Sequence, residues 1–407
     1  MIKINFRYSE KTESDYLDIV NNFVKNLVIE KSNNLSYDDK RALLGFWTKS
    51  SLQTLTLCKP NLLVGMIESV FTKYPAVEEY YCISSYYYSC LSLEADTAPY
   101  HALKVRPQFD KTLSELLERF RLLYQSKPSS VLLPSMIRLT EEAVAFGEER
   151  KKARENITKV YSLMSGKGVD DYFPKWVPVL KEIFDYEKCI KKTLAMKLLS
   201  ESEVYVCPYC NIHNIKSDNY ENKTKRSYRP ALDHFYPKSK YPFFALSLYN
   251  LVPACGECNT TNKGAYDTYE NPYPNPFNNG LCHERMFKIT NFEDLSIDLK
   301  YNEKVNELVV GMVLNDNAMS GKDLFDLTGR YTDKGLDDTR SCAKQVFDSY
   351  VLSQRGINTQ IGLGEVPLKT FVSYFSGIDL DKCALKVVHK KMKVDFINQV
   401  YAKKYKV

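Results

Sequence analysis

The chain of 407 residues has no run of about 18 apolar residues, the length a helix needs to cross a bilayer. Its first residues, MIKINFRY, lack the apolar stretch of a secretory signal. No internal repeat and no long low-complexity tract occurs. The stretch SGKGV at 165–169 lacks the full G-x-x-x-x-G-K-[ST] pattern of a phosphate loop and reads as a turn. Charge of one sign is not in large excess: the net charge is +6, which permits nucleic-acid binding without arguing for it. Seven of the eleven cysteines (58, 82, 90, 189, 282, 342, 383) show no disulfide spacing. A reducing, cytoplasmic location and no membrane partner are the expectations.

What is present begins with the other four cysteines. Cys207 and Cys210 form one C-x-x-C, and Cys255 and Cys258 form a second. Two such knuckles supply a complete tetrahedral set of thiolates for structural Zn²⁺. The 44 residues between them exceed a simple zinc ribbon, so a folded insert must lie between the knuckles. A redox pair or chance clustering is the competing reading of a C-x-x-C. A four-thiolate site is closed, so this zinc is not expected to be catalytic.

The insert holds Asp233, His234 and, sixteen residues beyond that histidine, Asn250; Asn259 directly follows Cys258. Hydrolysis of a phosphodiester needs an activated water and a metal near the leaving oxygen. His234 can act as general base because an imidazole titrates near neutral pH. Asp233 and Asn259 are oxygen donors suited to Mg²⁺ or Mn²⁺. On a regular strand Asp233 and His234 point to opposite faces, so joint action on one phosphate asks for a twisted or bulged strand end. An Asp-His pair alone is more often a salt-bridged or capped turn. Asn250 can hold the loop or orient the histidine.

Taken together, C-P-Y-C-N (207–211), L-D-H-F-Y-P-K-S (232–239) and Y-N-L-V-P-A-C-x-x-C-N (249–259) resemble the HNH endonuclease family and its ββα-metal fold. They are most similar to its zinc-containing bacterial branch, which includes effectors of Septu- and retron-type anti-phage systems. The resemblance covers residues 200–280, roughly a fifth of the chain, and the segment FDYEKCI upstream of the first knuckle shares it. It implies His234 as general base and Asn250 as the residue fixing the loop between two strands. It implies Asp233 and Asn259 as ligands of a catalytic Mg²⁺ or Mn²⁺, and an ATPase partner protein. Two departures stand out. The last family position is asparagine, and the lysine after it, Lys263, comes at four residues where three is common.

Elsewhere, Ile2, Ile4 and Phe6 alternate with polar residues and predict a short strand. Residues 13–200 read as mostly helical. Leu113, Leu116, Leu117, Phe120 and Leu123 make one stripe, with Asp110 as cap between Pro107 and Pro128. Residues 141–161 predict one long helix, and Ile183, Phe184, Tyr186, Ile190, Leu194 and Leu198 another. The tyrosines 80, 81, 86, 87 and 88 suit a packed bundle, with base stacking as the alternative. Seven Lys/Arg against three acids between Lys216 and Lys240 suggest a phosphate-facing surface. Lys225, Arg226, Arg229, Lys238, Lys240 and Lys263 are its candidates, and a solvated loop is the competitor. Residues 271–278, NPYPNPFN, must be irregular. The tail from residue 381 predicts a basic amphipathic helix, either backbone-tracking or packed with snorkelled lysines. Cys282 and His283, His213, His101 and His389 receive no role.

The expectation is a mainly α protein with a small α+β nuclease core stapled by four cysteines. Residues 1–200 would be a helical docking or regulatory region, 201–285 the zinc-stapled nuclease, and 286–407 a helical region with a basic tail helix. The expected activity is metal-dependent hydrolysis of DNA or RNA in anti-phage defence. The alternative is a non-catalytic zinc module that binds nucleic acid or scaffolds a complex. A stand-alone restriction or homing enzyme would want a recognition motif that the sequence does not offer. The oligomeric state stays open.

Overall fold

The computed structural model of the chain describes residues 1–91, 106–146, 149–215, 230–280, 287–289, 310–312, 324–327, 330–331, 336–354 and 367–402. Among them the protein is mainly helical, with two sheets of two antiparallel strands each. No helix among them is long and apolar enough to cross a membrane. The chain divides into two compact units that cut across the three consecutive segments expected from sequence. One takes residues 1–13, 190–235 and 249–407; the other takes 14–189 and 236–248.

The second unit is helical. Helices Arg106–Ser126, Leu133–Ala145 and Arg150–Met164 pack side by side. Leu116, Phe120, Leu123, Leu133, Met136, Val160 and Leu163 fill the space between them. Leu113, Leu116, Phe120 and Leu123 bury the expected stripe, but the helix starts at Arg106. Pro107 therefore sits in its first turn, where a missing N–H costs nothing, and Asp110 lies one turn inside rather than at the cap. The long helix expected over 141–161 is two helices, with the Glu149 N–H bonded to the Phe146 carbonyl between them. Tyr86 and Tyr87 are buried core residues, and the half-buried Tyr81 donates to the Val177 carbonyl at 2.9 Å.

The connection 236–248 belongs to this unit for a visible reason. Tyr241, Phe243, Phe244 and Leu246 are almost wholly buried. Phe71 stacks on Tyr241 and meets Phe243 edge-on. These side chains are as apolar as any helix face, so the connection supplies core to the helical unit.

In the first unit, the N-terminal residues make an isolated β-bridge at Ile2 but no regular strand. Ile2 N–H donates to the Pro208 carbonyl and Ile4 N–H to that of Pro276, both at 2.8 Å. Gly280 permits this approach, since a Cβ there would lie 2.7 Å from Lys3 Cα. Residues 271–278 are irregular, held by Asn275 and Asn279 side chains on backbone N–H groups. The helix expected over 183–198 breaks into Trp176–Ile183, Tyr186–Cys189 and Lys192–Glu201, of which only the last is in this unit. Helices Leu336–Gln354, Leu368–Ser376 and Lys390–Val400 complete it. The tail helix does not present a basic face through its first lysines. Lys390 and Lys391 are fully buried, Lys390 on the Asp379 carbonyl at 2.9 Å and Lys391 on Asp395 at 2.7 Å. The packing alternative describes Lys390–Val400; the lysines past residue 402 lie outside the described residues.

Candidate metal centre and adjoining polar site

Each cysteine pair sits on a tight turn. Val206 bridges Asn214, and the Cys207 N–H donates to the His213 carbonyl at 3.0 Å, so the first knuckle is the tip of a small hairpin. Asn211 turns the chain with a φ of 56°, a region asparagine tolerates. The Ile212 N–H points at Cys210 Sγ, and the Cys258 N–H at Cys255 Sγ, each at 3.4 Å. The four Sγ atoms all lie within 4.8 Å of one another and all four residues are buried. A tetrahedral zinc with bonds of about 2.3 Å sets its sulfurs roughly 3.8 Å apart, so the cluster can hold a metal ion such as zinc. Crowding makes the thiols unequal. Contact with neighbouring sulfurs, Cys207 first, holds Cys255 far below the usual thiol range and brings Cys210 down to about 7. Burial pushes Cys207 up, and its sulfur neighbours push Cys258 up. A cation at the centre favours the thiolate at all four.

The surrounding groups come from distant parts of the chain. Arg330, itself buried, points Nη1 at Cys258 Sγ at 3.6 Å and pairs through Nη2 with Glu257 at 2.6 Å. Glu257 also meets His213 Nε2 at 3.0 Å, so that histidine faces a carboxylate at the rim and is not part of the thiol cluster. Tyr331 donates to the Cys210 carbonyl at 2.7 Å. The Asn211 amide bonds the Ala384 carbonyl and the Lys391 N–H.

Immediately beside the second knuckle stands a hairpin. Strand β1 (Ala231–His234) pairs antiparallel with β2 (Leu251–Ala254), with Asp233 opposite Val252 and His234 opposite Leu251. The ladder runs without a bulge, so Asp233 and His234 alternate as on any strand. Asn250 ends a 3₁₀ turn just before β2, fully buried, and its carbonyl accepts from the Phe235 N–H at 2.9 Å. It therefore stands where the chain re-enters the hairpin. After β2 comes the knuckle and then a π-helical turn, Glu257–Lys263. The Gly264 N–H reaches back to the Asn259 carbonyl, and its positive φ of 48° ends the turn.

Asp233 is 2 % exposed. Its Oδ2 accepts from the Tyr209 hydroxyl at 2.6 Å, and its Oδ1 lies 3.2 Å from Lys263 Nζ. Lys263 also donates to the His234 carbonyl at 2.6 Å. Burial pushes the Asp233 carboxyl up, against the pull of Lys263 and Tyr209. Lys263 thus faces the carboxylate rather than the surface expected of a phosphate contact. Asn259 is half-buried one turn before Lys263, and His234 is 9 % exposed.

The remaining candidate cations are not gathered here. Lys225, Arg226 and Arg229 lie outside the described residues. Lys238 pairs with Glu187 at 2.9 Å, and Lys240 is half-buried; both belong to the helical unit. Sequence reasoning missed Tyr209, Arg330, Tyr331 and Glu257. Tyr209 had a signal, an aromatic with a hydroxyl between two knuckle cysteines. Arg330, 72 residues beyond Cys258, had none. Set against known proteins, the chain matches no family model, no curated protein and no solved structure.

Proposed function

We propose that this protein is a metal-dependent endonuclease of the HNH kind, with a structural zinc on the four cysteines. What supports the reading is an order of parts: Asp233 and His234 on β1, Asn250 leading into β2, and Asn259 on the helical turn that follows. Hairpin then helical turn, tied at both ends to one thiol cluster, is the arrangement the sequence resemblance implies. His234 takes a proton from a water molecule, made a better nucleophile by the loss. The ladder and the Asn250 carbonyl fix the strand end that carries it. Asp233 and Asn259 are the residues that would hold Mg²⁺ or Mn²⁺; their oxygens suit such an ion, which supplies stabilisation of charge on the phosphate and the leaving 3′ oxygen. Tyr209 holds the Asp233 carboxylate in one orientation. The product carries a 5′ phosphate. Anti-phage defence beside an ATPase partner is the setting proposed on resemblance alone, and the helical unit is assigned to docking or regulation on the same ground.

A second reading has two observations in its favour. The ladder of β1 runs without a bulge, so Asp233 and His234 point to opposite faces as on any strand. Asp233 is buried with both oxygens partnered, as a structural carboxylate would be. On that reading the chain is a non-catalytic zinc module that binds nucleic acid or scaffolds a complex. The two part in a cleavage assay with Mg²⁺ or Mn²⁺ on plasmid, single-stranded DNA and structured RNA, with and without ATP and any ATPase encoded beside it. The nuclease reading expects cutting that His234→Ala reduces by about 10²-fold or more. Equal cutting by both proteins, or none under any of these conditions, overturns it.

A further inference from the structure

Lys263 is an unusual place for a lysine to end. Its side chain is 1 % exposed and that of Asp233 is 2 % exposed, at an Nζ–Oδ1 distance of 3.2 Å. A second bond, to the His234 carbonyl at 2.6 Å, anchors the same ammonium to β1. The opposite carboxylate oxygen is taken by Tyr209. The positive φ of Gly264 directly afterwards closes the turn that delivers the lysine inward.

A carboxylate this far from water needs a cation beside it. In the nuclease reading that cation is a divalent metal, yet Lys263 already supplies one. Oδ1 keeps a second lone pair, so coordination is not blocked by valence. Charge is the obstacle. An ion bonded to Oδ1 at about 2.1 Å would stand within a few ångströms of the ammonium, where a low-dielectric interior makes like charges repel strongly.

We infer that Lys263 is an internal cation that competes with the divalent metal for Asp233. The inference rests on the nuclease reading for the metal's role. The folded chain alone then has a charge-satisfied site with low metal affinity. A nucleic-acid phosphate offers the ammonium another anion. Movement of Lys263 from Asp233 to a phosphate frees the carboxylate, so substrate and metal bind cooperatively, each raising the affinity for the other. The lysine acts as a guard on the empty enzyme and a phosphate contact on the loaded one.

The test reads metal binding. Mn²⁺ affinity is measured by electron paramagnetic resonance and calorimetry on the full chain with its cysteine site zinc-loaded, without nucleic acid. Lys263→Met should bind Mn²⁺ at least 10-fold more tightly than wild type, melt earlier without Mn²⁺, and regain the loss when Mn²⁺ is added. Asp233→Asn in the Lys263→Met background should abolish the gain. Should Lys263→Met fail to fold, Lys263→Gln, which keeps a donor for the His234 carbonyl and removes the charge, is read the same way. Mn²⁺ binding equal to or weaker than wild type overturns the competition and leaves the nuclease reading standing. No Mn²⁺ binding by any of these proteins overturns the metal centre itself.

Discussion

The two oxygens of Asp233 have different partners, and each partner was differently visible beforehand. The Asp-His pair and the four cysteines are legible because their spacing is short and their chemistry is local. The direction of Asp233 was not, because it is set by Tyr209 from the other knuckle, 24 residues upstream. Tyr209→Phe removes a bond to a buried carboxylate and should destabilise the protein by about 1–3 kcal/mol, read as a lower melting temperature at unchanged zinc content. A melting temperature equal to wild type would mean that water or another donor replaces the hydroxyl. Arg330 was beyond sequence reading, since nothing near it marks it as a neighbour of Cys258. Its positive charge at a thiolate should strengthen metal retention. Arg330→Ala is expected to lose zinc to a chelator at roughly 10-fold lower chelator concentration, in line with other groups that support metal ligands. Unchanged competition would assign the arginine to Glu257 alone.

Helices were legible where their apolar stripes were unbroken and misread at their ends. The stripe from Leu113 to Leu123 gave the right face, but the boundary depended on Pro107 entering the first turn. Residues 141–161 read as continuous because charged residues suit a helix, whereas the first helix ends at Ala145 and the next begins at Arg150. Glu79 shows a tie that no periodicity reports. Fully buried, it accepts from the Ser130 hydroxyl and from the Val131 and Leu132 N–H groups, at the start of helix Leu133–Ala145, as well as from Tyr87. Glu79→Ala strands those donors and should cost about 3 kcal/mol or more; urea melts of the two proteins measure it. Two thiols of the same unit predict an alkaline limit. Burial pushes Cys58 up to about 11 and Cys189 to about 12, from a usual value of 9.0. Unfolded, these thiols ionise first, so the stability they contribute is whole below pH 9.0 and is lost as pH rises towards 11–12. Cys58→Ala with Cys189→Ala should flatten the fall of stability over that window, and an unchanged slope would trace it to other groups.

At the scale of the molecule, sequence segments and compact units differ because an apolar connection between two strands joined the helical core. Motif spacing places β1 and β2 but is blind to where the residues between them bury their rings. The cysteine cluster lies wholly in one unit, so metal removal should act unevenly. Stripping the metal should lower the melting of the unit built from 1–13, 190–235 and 249–407, and leave most helical circular dichroism in place from 14–189. One transition, unmoved by chelation, would contradict a stapling role for the four thiols. The functional claim is tested most directly at His234, by chemical rescue. Wild type, His234→Gly, and His234→Gly with free imidazole are compared on the cleaved substrate, and the ends are mapped. The account predicts a loss of about 10²-fold or more in His234→Gly, partial return with imidazole, and 5′-phosphate ends throughout. Cutting by His234→Gly at the wild-type rate would contradict it.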